Sequence, residues 1–255
     1  MKKLFLAWQD SVSRAWFPVG QLTFTNSYYQ FTYIQGAKTA KEKCGFPGVF
    51  SFPDWNKVYR SSEVFPIFSN RIMRQSRPEY PQLLSWLNFP EDENDPIALL
   101  SRSGGKRVTD NFEVFPYPEP DENEYYHFYF FSHGLRYMQK ATDDRIINLQ
   151  PQEQLYFMHD LQNSYDNNAL MLRTEDYSLL GYCPRYLLDD LLPILQQFPH
   201  SVEVTVEKIN LHPAPLKMRL LCHMIIKKSD FKPFSSHLYK PLVEETKLYQ
   251  TPELN

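Results

Sequence analysis

The chain has 255 residues, of which 42% are hydrophobic, 16% aromatic and 22% charged, with a formal net charge of −3. That apolar share supports a packed core and excludes global disorder, and the length fits one large domain or two small ones. No apolar run reaches the roughly 18 residues that span a membrane, and no segment is basic enough to coat duplex phosphates.

The N-terminus is basic and then apolar, but the apolar run stops at Asp10, too short for a signal peptide. Cys44, Cys183 and Cys222 are odd in number, far apart and without C-x-x-C spacing, so neither a disulfide framework nor a zinc site is expected. The expectation is a soluble, reduced, cytoplasmic protein. Residues 1–118 carry 14 Lys and Arg against 11 Asp and Glu, residues 119–125 carry four acids and no base, and residues 126–228 carry 10 bases against 11 acids. Any nucleic-acid contact must therefore be local, through a few placed groups.

In chain order, Leu4–Trp8, Ala15–Phe24 and Tyr28–Ile34 read as strands, rich in aromatic and β-branched residues, with a turn at Thr25-Asn26-Ser27. Glu63–Arg74, Pro81–Phe89 and Asp95–Arg102 read as short helices, with Ser62 and Asp95 as N-caps and Pro81 and Pro96 in first turns. Residues 119–125, acidic and following a proline-rich run, read as a linker. Beyond it, Tyr126–Phe131, Gln154–His159, Ala169–Arg173, Leu179–Tyr182, Val202–Ile209 and Leu216–Ile226 read as strands. One helix follows Pro184, with Leu187, Leu188, Leu191, Leu192 and Leu195 on one stripe, and Pro193 is expected to bend or interrupt it. The fold class is α+β: an N-terminal domain over 1–118, a small sheet with a helical cluster, then an OB-like β-barrel with one or two helices over 126–228. Residues 229–255 form an irregular tail.

Catalytic motifs are absent: there is no P-loop, no H-E-x-x-H and no G-x-S-x-G, so neither a cofactor nor a metal is expected. Gly104-Gly105-Lys106-Arg107 reads as a turn with solvated cations, or as an anion or partner contact. Cys183 adjoins Arg185, but a buried strand-end thiol is the simpler reading. Asp189-Asp190 reads as a solvated helix face, because neighbours on a helix do not face each other. The richest stretch is His159–Leu170, where Asn163, Asp166, Asn167 and Asn168 surround Tyr165. It is either a turn held by Asx side chains or a site in which an aromatic stacks a base beside an acid that accepts from a sugar hydroxyl.

Gly134-Leu135-Arg136-Tyr137, Asn163-Ser164-Tyr165-Asp166-Asn167-Asn168-Ala169 and Leu180-Gly181-Tyr182-Cys183-Pro184-Arg185, followed by a leucine-rich helix, resemble the HIRAN domain in motif order. His159 departs from the arginine common in that pattern, and Cys183 from its aliphatic residue. The resemblance implies a small OB-like barrel that binds single-stranded DNA at its 3′-hydroxyl end. It implies Arg136 and Tyr137 as phosphate contact and base platform, Tyr165 as stacking partner, Asp166 as hydroxyl acceptor, and Tyr182 and Arg185 as lateral contacts, with Asn168 capping the turn.

In the first half, Trp16–Leu22, Phe31–Ile34 and Glu63–Arg71 resemble, more weakly, the N-terminal subdomain of HipA-type toxin kinases, which implies partner docking without the kinase core. The resulting expectation is a non-catalytic DNA-end binder. A separately encoded nuclease, helicase or toxin–antitoxin protein is its expected partner, in repair or defence. The alternative is a protein-interaction or antitoxin-like module that binds no DNA. A hydrolase using Asp160 and Asp166 is the least favoured reading.

Overall fold

The structure, a computed structural model, describes residues 2–25, 27–227 and 230–243. Asn26 of the expected turn, the 228 boundary, residue 229 and the tail from 244 on lie outside them. The chain forms two compact units, one from residues up to Ile72, Gly104–Pro116 and Ser235 onward, the other from Met73–Ser103 and Tyr117–Phe234. A single cut near residue 119 does not reproduce these units: the helical segment 73–103 clusters with the C-terminal half.

The first unit is built on β1 (Lys2–Gln9), β2 (Trp16–Thr25), β3 (Tyr28–Tyr33), β4 (Tyr59–Ser61) and β5 (Phe112–Pro116), an antiparallel sheet in the order β4-β3-β2-β1-β5. Its core is aromatic, with Phe5, Phe31, Tyr33, Phe46, Phe52, Phe68 and Phe115 fully buried. The Tyr33 hydroxyl accepts the Val49 N–H at 2.7 Å and donates to the Phe52 carbonyl at 2.8 Å, and burial pushes its pKa up to about 12. Among its described residues the unit's α-helices are α1 (Gln35–Cys44) and the single turn α2 (Pro66–Ser69). The sequence reading lacks α1 because its buried face is Gly36, Ala37 and Ala40, which carry no hydrophobic period. In the Gly-Gly turn, Lys106 pairs with Glu113 at 2.8 Å, so one of its two cations is neutralised.

The second unit contains α3 (Tyr80–Trp86), α4 (Pro96–Ser103), β6 (Tyr126–Phe131), α5 (Lys140–Ile147), β7 (Gln154–His159), β8 (Leu170–Arg173), β9 (Leu179–Tyr182), α6 (Leu188–Gln197), β10 (Val202–Ile209) and β11 (Leu220–Ile226). Its sheet runs β6-β11-β10-β7-β8-β9, all antiparallel. The sheet curls until its two edges meet at a bridge between His133 and Tyr182, giving a half-barrel. The α+β expectation holds for both halves. Segment 73–103 is tied to β10: Asn210 Nδ2 donates to the Trp86 carbonyl at 2.8 Å and Asn88 Nδ2 to Glu207 Oε1 at 2.7 Å. The Arg102 guanidinium lies 4.2 Å from the Tyr129 ring. The acidic segment is an ordered turn, in which Asp121 Oδ1 accepts the N–H groups of Asn123 and Tyr125 at 2.9 Å. The helix continues through Pro193 to Gln197, so the proline does not interrupt it.

Candidate nucleic-acid interface

The site is assembled where the two sheet edges meet. Beyond β6 the chain turns at Gly134, whose φ of 74° suits glycine and whose Cβ, were one present, would lie 2.9 Å from a Tyr182 ring carbon. This close approach explains the glycine and sets the short 3-10 turn Leu135–Tyr137 against Tyr182. Tyr137 is 70% exposed, and the Arg136 guanidinium lies over its ring at 4.5 Å while also donating to its hydroxyl. A cation held against an exposed aromatic is a preformed contact for a base and a phosphate.

The loop from Asp160 to Ala169 joins β7 to β8 and is held by its own side chains. Asn163 Oδ1 accepts the N–H groups of Tyr165 at 3.0 Å and Asp166 at 3.1 Å. Asp166 Oδ1 accepts the Asn168 N–H at 3.0 Å. The caps are thus the side chains of Asn163 and Asp166, whereas Asn168 contributes its backbone N–H. His159, the departure from the family pattern, pairs through Nε2 with the Asn167 carbonyl at 2.8 Å. This ordering leaves Tyr165 75% exposed at the loop tip.

Arg185, just past β9, joins the same cluster. Its Nε lies 3.0 Å from Asp166 Oδ2, and its Nη2 donates to the Tyr165 carbonyl at 3.3 Å. Tyr182 donates its hydroxyl to Asp160 Oδ2 at 2.9 Å, and Asn163 Nδ2 donates to the same oxygen at 2.9 Å. The Asn163 hydrogen bond, then that of Tyr182, holds the Asp160 carboxyl below its ordinary range against the opposing effect of burial; burial, then Asp160, pushes the Tyr182 phenol up. Of the six residues singled out from sequence, Tyr165, Asp166, Tyr182 and Arg185 are linked through these contacts by way of Asn163 and Asp160, while Arg136 and Tyr137 contact each other on the turn that begins at Gly134. Sequence reasoning missed the role of Asp160, whose partner Tyr182 lies 22 positions away.

Of two neighbouring readings, the buried thiol at Cys183 holds and the solvated helix face at Asp190 does not. Burial pushes the Cys183 thiol well above its ordinary value, so Arg185 does not activate it. Asp190 is only part-exposed: it accepts the Phe234 N–H at 2.8 Å, and burial pushes its carboxyl up to about 6. Among the described residues no group of three His, Cys, Asp or Glu side chains is arranged to hold a metal, and no helix is long and apolar enough to cross a membrane.

Residues 125–228 match the family model of the HIRAN domain, so the resemblance carried by the three motifs holds over that stretch. Two solved structures are similar to part of the chain. A protein from Lactobacillus plantarum is 19% identical, over 38% of this chain and 89% of that one, with a TM-score of 0.30. The HIRAN domain of human HLTF is 19% identical, over 39% of this chain and 74% of that one, with a TM-score of 0.31. No curated protein matches the chain.

Proposed function

We propose that the C-terminal unit binds the 3′-hydroxyl end of single-stranded DNA and does so without catalysing a reaction. The observation that carries this reading is the placement of Asp166, a carboxylate next in sequence to the exposed Tyr165 and gripped by Arg185. An internal phosphate is repelled by a carboxylate, whereas a terminal hydroxyl donates to it. Asp166 Oδ1 and Oδ2 each have a protein partner and each retain a lone pair for a further donor. Tyr137 and Tyr165 present faces for the last bases, Arg136 reaches a phosphate, and Tyr182 and Arg185 flank them. The HIRAN match over 125–228 supports the same reading.

For the N-terminal unit the reading assigns docking of a separately encoded protein, resting on the HipA-like stretches at 16–22, 31–34 and 63–71. Recruitment to damaged, stalled or invading DNA is the use this reading assigns to such a pairing, by analogy with the family.

The test is fluorescence anisotropy of a labelled single strand at low salt, with Tyr165→Ala and Asp166→Ala. Loss of one stacked base costs about 1–3 kcal/mol, a drop of about 5- to 150-fold. Unchanged affinity in both variants, with retained folding, overturns the reading.

A further inference from the structure

We infer that a second nucleotide platform, formed by Tyr156, Arg173 and Tyr177, takes the part of a single strand 5′ of its bound end; this rests on the proposed end-binding reading. Tyr156 on β7 pairs with Arg173 on β8, and one step along each strand's same face Met158 pairs with Met171, which pairs with Tyr182. The face that carries Tyr182 therefore continues to Tyr156 and Arg173, two residues or about 7 Å further along. There the Arg173 guanidinium lies over two rings, 4.7 Å from the Tyr156 centroid and 4.6 Å from that of Tyr177. Its Nη1 donates to the Thr174 carbonyl at 2.9 Å. Contact with two rings holds the cation in place for a phosphate, and the exposed rings suit bases of any identity.

Tyr177 supplies an independent observation. The β8–β9 hairpin turns through Thr174–Tyr177, closed by Tyr177 N–H to the Thr174 carbonyl at 3.2 Å and by Thr174 N–H to the Ser178 carbonyl at 3.1 Å. The position after such a turn is left-handed and ordinarily glycine or asparagine. Here it is a tyrosine at φ 63° that is 74% exposed. A bulky residue kept in a strained conformation at an exposed tip, its ring held against Arg173, suits a platform for a further partner. The local acids limit where a phosphate can lie. Asp176 and Glu153 are engaged by Arg145, at 3.4 Å and 2.5 Å, while Glu175 is exposed on the turn. The phosphates therefore lie on the β7 side of Arg173, past Met158, while a base reaches the Tyr177 ring.

The experiment compares a trinucleotide with a nonanucleotide, both carrying a 3′-hydroxyl, on the full chain by anisotropy across a salt series. The wild type is expected to bind the longer strand more tightly. Arg173→Gln should remove about 3- to 10-fold of nonanucleotide affinity and lower its log–log salt slope by about 0.7, leaving the trinucleotide unchanged. Tyr177→Asn relieves the backbone strain, so its melting temperature should rise while the length advantage falls about fivefold. Equal affinity for both lengths, or variants that weaken both equally, overturns the platform while the end-binding reading stands. A length advantage that is lost in Arg173→Gln but unaffected by a 3′-phosphate keeps the platform and overturns end reading. Binding of neither strand overturns both.

Discussion

Asp166 Oδ2 sits 3.0 Å from Arg185 Nε, so the acid of the site is held in place by one of its cations. Each side chain is part-exposed, which keeps the pair's own contribution to stability below about 1 kcal/mol. Asp166→Asn keeps an acceptor for the Asn168 N–H and for a ligand hydroxyl but loses the charge that orients Arg185. The expected outcome is a melting temperature within a few degrees of wild type and a clear loss of 3′-end affinity, smaller than in Asp166→Ala. Calorimetry and anisotropy on the same preparations check it.

Tyr182→Phe removes one of the two hydrogen bonds to Asp160 Oδ2 and leaves Tyr182's ring beside Gly134. The loss expected is about 1 kcal/mol of stability. The pH dependence has a definite sign. Asp160 is held below its ordinary pKa in the folded state, so its stabilisation is present above the unfolded value and disappears as pH falls through the folded one. Denaturant unfolding of Asp160→Asn and wild type should differ at neutral pH and converge in acid.

Asp190 has the opposite sign. Its folded pKa is raised from 3.8 to about 6, so the folded state binds more protons and this group costs stability as pH rises between those values. Asn at this position still accepts the Phe234 N–H. Asp190→Asn should therefore match wild type in acid and be more stable by about 1–2 kcal/mol at neutral pH, after allowance for partial solvation. Urea unfolding at both ends of that range decides it.

His127 Nδ1 lies 2.9 Å from His223 Nε2, and His127 Nε2 lies 3.1 Å from Asp121 Oδ2. His223 also stacks on Tyr129 at 4.4 Å. Burial, then the facing His127, lowers the His223 pKa, with Arg102 adding to the effect and Glu207 opposing it. Its contribution is therefore lost as pH falls below the ordinary histidine value toward the lower folded one. NMR titration of the imidazole signals should place His223 below 6.5, the ordinary value.

The strands were legible because their residues alternate or run apolar: Tyr126–Phe131, Gln154–His159, Leu179–Tyr182 and Val202–Ile209 coincide with the sequence reading. Helix α1 was illegible because glycine and alanine form its buried face, and α5 because it buries only Thr142 and Ile146. Strand β5 was hidden by the prolines that follow it and by having its partner, β1, more than a hundred residues earlier. The motifs singled out six candidate residues. The contacts around them, such as Tyr182 with Asp160 and Gly134 with Tyr182, were not legible, because they join strands and loops that only the curl of the sheet brings together.

The most direct measurement compares one short single strand bearing a 3′-hydroxyl with the same strand bearing a 3′-phosphate, by anisotropy at low salt. On the proposed reading the Asp166 carboxylate accepts a hydrogen bond from the hydroxyl and repels the phosphate. The account predicts at least about tenfold tighter binding of the hydroxyl end, abolished in Asp166→Ala. Equal binding of both ends, or binding of neither, contradicts it.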